Sequence, residues 1–287
     1  MISPFQLHRP KTIEEACALL AQYGEQAKIL AGGSELILLL KMNLAAAAHL
    51  IDIKGVAGMD TIRFEPESQA LKVGGLVTHR SLETSRVALE HFPLLVEMEN
   101  QVANIRVRNI GTLGGNLCFA EPHADPGTLL TAFGARIKVR STHGERLLDI
   151  RDFFVDYYQT ALERDEILTE VEIPKLSANW SGTYLRFCPG ERPSVAAAIL
   201  MQWADGTCAD ARLTLGCVGP KPVRIPEVEV ALRGKAAGEI LAEGVNIGTK
   251  MSDACDPPAD IWGSVDYKRQ IVKTLVSRGL QKCVRDA

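Results

Sequence analysis

The chain has 287 residues, of which 46% are hydrophobic and 23% charged, and its formal net charge is −3. A chain of this length buries enough surface to fold without a disulfide or metal staple, and length alone predicts about two domains. The slightly acidic balance argues against nucleic-acid binding as the main function. Residues 1–10 lack the apolar core of a signal peptide, and no apolar stretch is long enough to span a membrane. We therefore predict a cytoplasmic protein with no transmembrane segment.

The seven cysteines are scattered along the chain and form no Cys-x-x-Cys motif. The closest pair, Cys208 and Cys217, is nine residues apart, a spacing that matches no standard zinc or iron–sulfur ligand set. We therefore expect free thiols in a reducing compartment and no metal site in this chain.

The N-terminal region predicts a small αβαβ unit over residues 1–55. Thr12 and Glu15 form the pattern of a capping box, which predicts a helix that begins after Thr12. Short apolar runs then predict buried strands over residues 27–31 and 49–53.

Two adjacent glycines follow the first of these strands. Gly32 and Gly33 precede the hydroxyl of Ser34 and a second apolar run. Glycine permits positive φ and a close approach of the backbone to a partner. A strand, a Gly-Gly turn and a helix start point free N–H groups and a positive dipole end toward a ligand. This arrangement is typical of a phosphate-binding loop.

A second region alternates predicted strands and helices around another glycine pair. Gly114 and Gly115 lie between Thr112 and Asn116, with apolar residues on either side that predict strands. Taken alone, this stretch also fits a tight turn or a bulge between strands. Two such turns in one domain suit the two phosphates of a dinucleotide. The other elements predicted here are strands over 70–76, 135–140, 147–150 and 167–173, a helix capped by Thr78, and a helix over 93–103.

Residues 175–181 read as a linker, after which the pattern changes to a meander backed by helices. Asp205 and Gly206 predict the hairpin turn between its second and third strands. The predicted strands are 184–187, 195–204 and 211–218, and the predicted helices are 226–232, 237–248 and 264–283.

These motifs together resemble the FAD-binding medium subunit of the molybdenum hydroxylases, the xanthine dehydrogenase and carbon monoxide dehydrogenase family. The resemblance covers nearly the whole chain. It rests on residues 31–35, 112–116, 120–126, 216–224 and 263–272.

The resemblance implies an α+β fold in two parts. The first is a two-subdomain FAD-binding domain of the PCMH-like type over residues 1–176, with subdomains at about 1–55 and 56–176. The second is a small domain of antiparallel sheet backed by helices over residues 177–287.

The resemblance also implies the cofactor-binding residues. Asp125 matches an aspartate that bonds the ribityl region of the flavin, although the sequence equally suits a cap for a helix at Pro126. Arg186 stands where several relatives have a lysine near the flavin ring, and a solvated strand residue is the alternative. Tyr184 is expected either to cover the ring or to lie in the core, and His123 at the surface. The full set is Ala31, Gly32, Gly33, Ser34, Glu35, Leu36, Thr112, Gly114, Gly115, Asn116, Asp125, Tyr184 and Arg186.

The implied function is electron transfer through non-covalent FAD, with no catalytic acid or base in this chain. The implied partners are a small subunit with 2Fe–2S clusters and a large subunit with the molybdenum cofactor, in a dimer of heterotrimers. Carbon monoxide, aldehydes, purines and other N-heterocycles stay open as substrates, and NAD, quinone and oxygen as acceptors. A self-sufficient FAD-dependent dehydrogenase or oxidase and a non-enzymatic nucleotide-binding module are the alternatives.

Overall fold

The computed structural model describes residues 3–286 as three successive units that each contain a sheet. Met1 and Ile2, which open the segment predicted to lack a signal peptide, lie outside the described residues, as does Ala287 at the end of the last predicted domain. None of the helices within residues 3–286 is both long and apolar enough to cross a membrane.

The first unit is a parallel three-stranded sheet with strand order β1-β3-β2. Thr12 caps α1 as predicted, because its hydroxyl accepts a hydrogen bond from the Glu15 N–H at 3.2 Å. The short strand β1 is an addition to the predicted elements. Because β2 and β3 are parallel, their carboxyl ends lie at the same edge of the sheet. The elements are β1 (Gln6–His8), α1 (Ile13–Tyr23), β2 (Ala27–Leu30), α2 (Leu36–Lys41) and β3 (His49–Asp52).

The second unit is an antiparallel sheet with strand order β4-β5-β10-β6-β7, joined to a series of short helices and a two-stranded hairpin, β8-β9. The predicted strands over 135–140 and 167–173 are present with shifts of one residue at their ends. The elements are β4 (Ile62–Glu65), β5 (Ala70–Gly74), α3 (His79–Glu83), α4 (Arg86–His91), α5 (Pro93–Glu99), α6 (Ile105–Ile110), α7 (Leu113–Phe119), α8 (Pro126–Phe133), β6 (Arg136–Ser141), β7 (Gly144–Asp149), α9 (Ile150–Phe153), β8 (Phe154–Asp156), β9 (Gln159–Thr160) and β10 (Ile167–Pro174).

The segment around the second glycine pair differs from the prediction. Gly114 and Gly115 lie in the first turn of helix α7 and do not connect two strands. The predicted helix over 93–103 ends at Glu99, and a separate helix, α6, follows it.

The third unit is an antiparallel sheet with strand order β11-β12-β13-β14, backed by helices as predicted. Asp205 and Gly206 have φ values of 49° and 76°, which fit the tight hairpin turn expected of this dipeptide. The elements are β11 (Trp180–Phe187), β12 (Val195–Ala204), β13 (Thr207–Gly216), β14 (Val223–Arg224), α10 (Pro226–Leu232), α11 (Ala237–Asp253) and α12 (Val265–Arg285).

Helix α8 joins the second and third units in one hydrophobic core. All eight of its residues are buried. A Cβ atom placed on Gly216 of β13 would lie 2.0 Å from the Thr128 hydroxyl of α8, so this strand and helix are in close contact. Tyr184 and Leu200 of the third unit belong to the same buried cluster as Leu129 of α8.

Candidate cofactor-binding site

The loop after β2 presents an unbroken row of free backbone donors. Within residues 3–286, the N–H groups of residues 32–36 donate no hydrogen bond to the protein. Gly33 has a φ of 83°, a conformation that side chains other than that of glycine rarely adopt. Successive free N–H groups around such a turn form a concave nest that binds anions, typically phosphate. We call residues 32–36 the anion nest.

The two glycine loops lie against each other. A Cβ atom on Gly32 would lie 1.9 Å from the Ile110 carbonyl oxygen, so only glycine allows this contact. The Cβ position of Gly111 is 3.4 Å from the Ser34 hydroxyl, and that of Gly115 is 3.8 Å from Ala31 Cβ. The first loop therefore packs directly onto the connection between α6 and α7.

The second loop contributes in a different way from the first. Thr112 is the N-cap of α7, and its hydroxyl accepts a hydrogen bond from the Gly115 N–H at 3.0 Å. Gly114 is buried, and a Cβ there would lie 2.5 Å from the Gly75 carbonyl oxygen. Gly115 and Asn116 are half-buried. Gly114 is thus a packing residue, while Gly115 and Asn116 face more open space.

The expected role of positive φ holds at only one of the four glycines. Gly33 has positive φ, whereas Gly32, Gly114 and Gly115 do not. Gly32 and Gly114 need to be glycine because other backbone segments lie too close for a side chain. Gly115 leaves room for the Thr112 hydroxyl, which lies 2.8 Å from the position of a Cβ atom.

A cleft of about 480 Å³ opens between the first and second units beside the two loops. Its size lies within the range of ordinary small-molecule sites. The cleft is lined by Gly32, Lys54, Asp60, Leu76, Val77, Thr78, Ser81, Asn109, Ile110 and Thr112.

Lys54 and Asn109 are cleft residues that the sequence analysis missed. The Lys54 ammonium group lies 2.7 Å from the Asp52 carboxylate and 3.4 Å from the Ala31 carbonyl oxygen. A signal for Lys54 was present, because it follows β3, the parallel neighbour of the strand that leads into the anion nest. Asn109 lies in the unpredicted helix α6, so no comparable signal existed.

Asp125, Tyr184 and Arg186 form a buried cluster that does not line this cleft. The Asp125 carboxylate accepts hydrogen bonds from the Tyr184 hydroxyl at 2.7 Å and from the Arg186 guanidinium at 2.9 Å. Burial raises the pKa of Asp125 to about 6, although Arg186 and Tyr184 oppose this shift. The Asp125 side chain does not cap α8.

The contacts of this cluster decide between the alternatives left open for Tyr184 and for Arg186. Tyr184 is 1% exposed and lies in the core, the second of the two expectations for it. Arg186 is ion-paired with Asp125 and is not a solvated strand residue. His123 is only partly at the surface, with its side chain 12% exposed: its Nδ1 lies 2.8 Å from the Pro193 carbonyl oxygen, and its Nε2 lies 3.3 Å from the Asp260 carboxylate.

Comparison with known proteins identifies the cofactor. Residues 3–176 match the family described as the FAD binding domain in molybdopterin dehydrogenase, and residues 190–283 match the CO dehydrogenase flavoprotein C-terminal domain. The chain belongs to this family of FAD-binding subunits. The predicted fold class, cofactor and oxidoreductase class are thereby confirmed.

Relatives match the chain over nearly its full length. The carbon monoxide dehydrogenase medium chain of Hydrogenophaga pseudoflava is 32% identical over 98% of this chain and 97% of its own. The nicotine 6-hydroxylase medium subunit of Paenarthrobacter nicotinovorans is 31% identical over 94% of this chain and 93% of its own. The structure of quinoline 2-oxidoreductase from Pseudomonas putida 86 superimposes with a TM-score of 0.93 at 28% identity, covering 100% of this chain and 99% of that one.

The described residues fit FAD. The anion nest supplies free donors of the kind that a pyrophosphate needs, and the adjoining cleft offers the volume of a nucleotide-sized group. The hydroxyl of Ser34 and the amide of Asn116 make no hydrogen bond within residues 3–286, so they are free to contact a ligand.

Proposed function

We propose that this chain is the electron-transfer subunit of a heterotrimeric molybdenum hydroxylase. Its partners are a small subunit with 2Fe–2S clusters and a large subunit with the molybdenum cofactor, assembled as a dimer of heterotrimers in the cytoplasm. The observation that carries the proposal is the end-to-end correspondence with proteins named as the medium chain of a dehydrogenase and the medium subunit of a hydroxylase. We place the boundary of the FAD-binding domain at residues 176 and 177.

The chain's own residues hold the cofactor in this proposal. The anion nest binds the pyrophosphate of FAD, and Lys54 adds a positive charge at the cleft. Thr112 fixes the start of α7, and Asn116 donates from its half-buried side chain. Asp125 does not line the cleft, and its carboxylate holds Tyr184 and Arg186 within the protein. When bound, FAD supplies the redox chemistry, accepting single electrons and releasing pairs.

The proposal separates the site of substrate oxidation from this chain. Organic substrate or carbon monoxide reacts in the large subunit, and electrons reach this chain only through the iron–sulfur clusters. The chain therefore needs no acid or base positioned over the flavin.

Anaerobic flavin spectroscopy tests whether the substrate is oxidised in another subunit. The purified chain with FAD should keep its flavin oxidised when mixed with aldehydes, N-heterocycles or carbon monoxide. Flavin bleaching should appear once the two other subunits are added with a substrate of the complex. Bleaching of the lone chain by any of these compounds would contradict the proposal and favour a self-sufficient dehydrogenase or oxidase.

A further inference from the structure

A carboxylate stands directly beside the anion nest. The N–H group of Glu35 is one of the nest's free donors, yet its side chain carries a negative charge and is 33% exposed. Two phosphate groups bound at the nest would lie close to this charge. Like charges at short range repel, more so when they are partly removed from water. Glu35 therefore opposes phosphate binding unless its charge is balanced.

Arg192 provides that balance from another part of the chain. One guanidinium nitrogen lies 3.0 Å from the Glu35 carboxylate, and another contacts Glu121, which follows α7. Arg192 belongs to the loop between β11 and β12, and 157 residues separate it from Glu35. A single side chain of the third unit thus binds both of the units that form the cleft.

The loop that carries Arg192 is held in place on both sides. The Glu191 carboxylate accepts a hydrogen bond from the Asn104 amide at 3.2 Å. The Ser194 hydroxyl donates to the Trp262 carbonyl oxygen at 3.1 Å. These contacts reduce the entropy that Arg192 loses when it binds Glu35, which favours a persistent ion pair.

Glu121 shares the Arg192 guanidinium with Glu35. Its carboxylate, with a side chain 10% exposed, also accepts a hydrogen bond from the Tyr158 hydroxyl at 3.0 Å. Arg192 therefore lies between two carboxylates, and its one positive charge offsets that of Glu35 while it also pairs with Glu121.

We infer that Arg192 is a positioning residue for FAD binding, which offsets the charge of Glu35 beside the anion nest and holds the nest's last turn from the third unit. The inference rests on the proposed role of the nest as the pyrophosphate site. It assigns FAD affinity in part to a residue that does not line the cleft.

A charge-rescue experiment on the full chain tests the inference. The Kd for FAD is measured by flavin fluorescence for the native protein, Arg192→Gln, Glu35→Gln and the double variant. Arg192→Gln should weaken binding about tenfold, as expected for one uncompensated charge near the surface. The double variant should return to within about threefold of the native Kd, because the repelling charge is gone. Arg192→Lys should retain most of the affinity.

The salt dependence provides a second readout. The defect of Arg192→Gln should shrink as ionic strength rises, because salt screens the repulsion between Glu35 and the phosphates. Arg233→Ala is the matched control, since it removes an exposed arginine–aspartate pair with Asp210 in the third unit. Its Kd for FAD should equal that of the native chain.

The outcomes separate this inference from the proposed site. An unchanged Kd in Arg192→Gln, or a double variant no better than Arg192→Gln, overturns the inference. Gly33→Val tests the anion nest itself and should abolish FAD binding while the Arg192–Glu35 ion pair stays intact. If Gly33→Val binds FAD with native affinity, the assignment of the nest as the pyrophosphate site is wrong. Circular dichroism confirms folding. If Arg192→Gln does not fold, Glu35→Gln alone should bind FAD at least as tightly as the native chain, and a weaker affinity of that folded variant counts against the inference.

Discussion

Asp125 is a buried carboxyl group whose hydrogen bonds only partly replace its lost hydration. It is 3% exposed, and desolvation raises its pKa to about 6 despite contact with Arg186 and Tyr184. In an unfolded chain an aspartate has a pKa of about 3.9. The folded protein therefore holds a proton on Asp125 over a pH range in which the unfolded chain has released it.

This difference predicts the sign of a pH effect on stability. Because the folded state binds more protons between about pH 4 and pH 6, the contribution of Asp125 to the free energy of unfolding falls as pH rises through that window. The loss amounts to about 3 kcal/mol and levels off above the folded pKa. Asp125→Asn removes the titrating group, so its stability should lack this component.

Urea unfolding of the native chain and of Asp125→Asn at a series of pH values provides the test. The native-minus-variant difference should decrease from about pH 4 to pH 6 and then stay constant. A difference that rises with pH would mean that Arg186 lowers the pKa of Asp125 below its usual value, contrary to the burial argument.

The contacts of individual site residues could be predicted only in part from the sequence. The proximity of Ala31 and Ser34 to the second loop followed from two similar motifs in one domain. The partners of Asp125 did not, because Tyr184 and Arg186 are about 60 residues away and reach it only through packing of α8 against the sheet of the third unit. The local sequence around Asp125 indicated only a possible role as the cap of helix α8. The pairing of Arg192 with Glu35 is equally invisible without the fold.

Helix α7 shows how an element can be misread when packing overrides local preference. Two glycines in seven residues disfavour a helix, and the flanking apolar residues resemble strands. The helix forms because Thr112 caps it and because Gly114 packs against Gly75 at the end of β5. The first of these signals is local, but the second depends on a contact between distant segments.

The cap of α7 allows a matched pair of substitutions. Thr112→Ala removes the hydroxyl that binds the Gly115 N–H, and Thr12→Ala removes the equivalent hydroxyl at the start of α1. Each substitution should cost about 1 kcal/mol of stability, the usual value for a lost threonine cap. Only Thr112→Ala should also weaken FAD binding, because only Thr112 lines the cleft.

Thermal unfolding and FAD titration of the two variants check this expectation. Equal losses in Tm with a raised Kd for Thr112→Ala alone would support a site at the start of α7. Equal Kd values in both variants would make Thr112 a residue of helix stability only.

Within residues 3–286, the Cys118 thiol and the His123 imidazole beside the second loop are poorly suited to a covalent flavin link. Burial raises the pKa of the Cys118 thiol to about 12, so almost none of it is the nucleophilic thiolate at neutral pH. Both ring nitrogens of His123 lie close to protein oxygen atoms. We therefore expect FAD to be held without a covalent bond.

Acid precipitation of the FAD-loaded chain should release all flavin into the supernatant, because denaturation removes every contact that holds it. Absorbance of the supernatant and of the redissolved pellet measures the division. Yellow colour that stays with the pellet would indicate a covalent bond, and the attachment residue could then be found by mass spectrometry of the flavin peptide.

The burial of α8 determines whether the chain can be cut into two fragments that fold separately. Sequence comparison separates the chain near residue 176, but α8 precedes that point and its apolar side chains lie against strands that follow it. A gene cut there would yield two fragments, each exposing half of a continuous apolar surface. Neither family segment is therefore expected to fold stably without the other, because each would expose its side of this core to water.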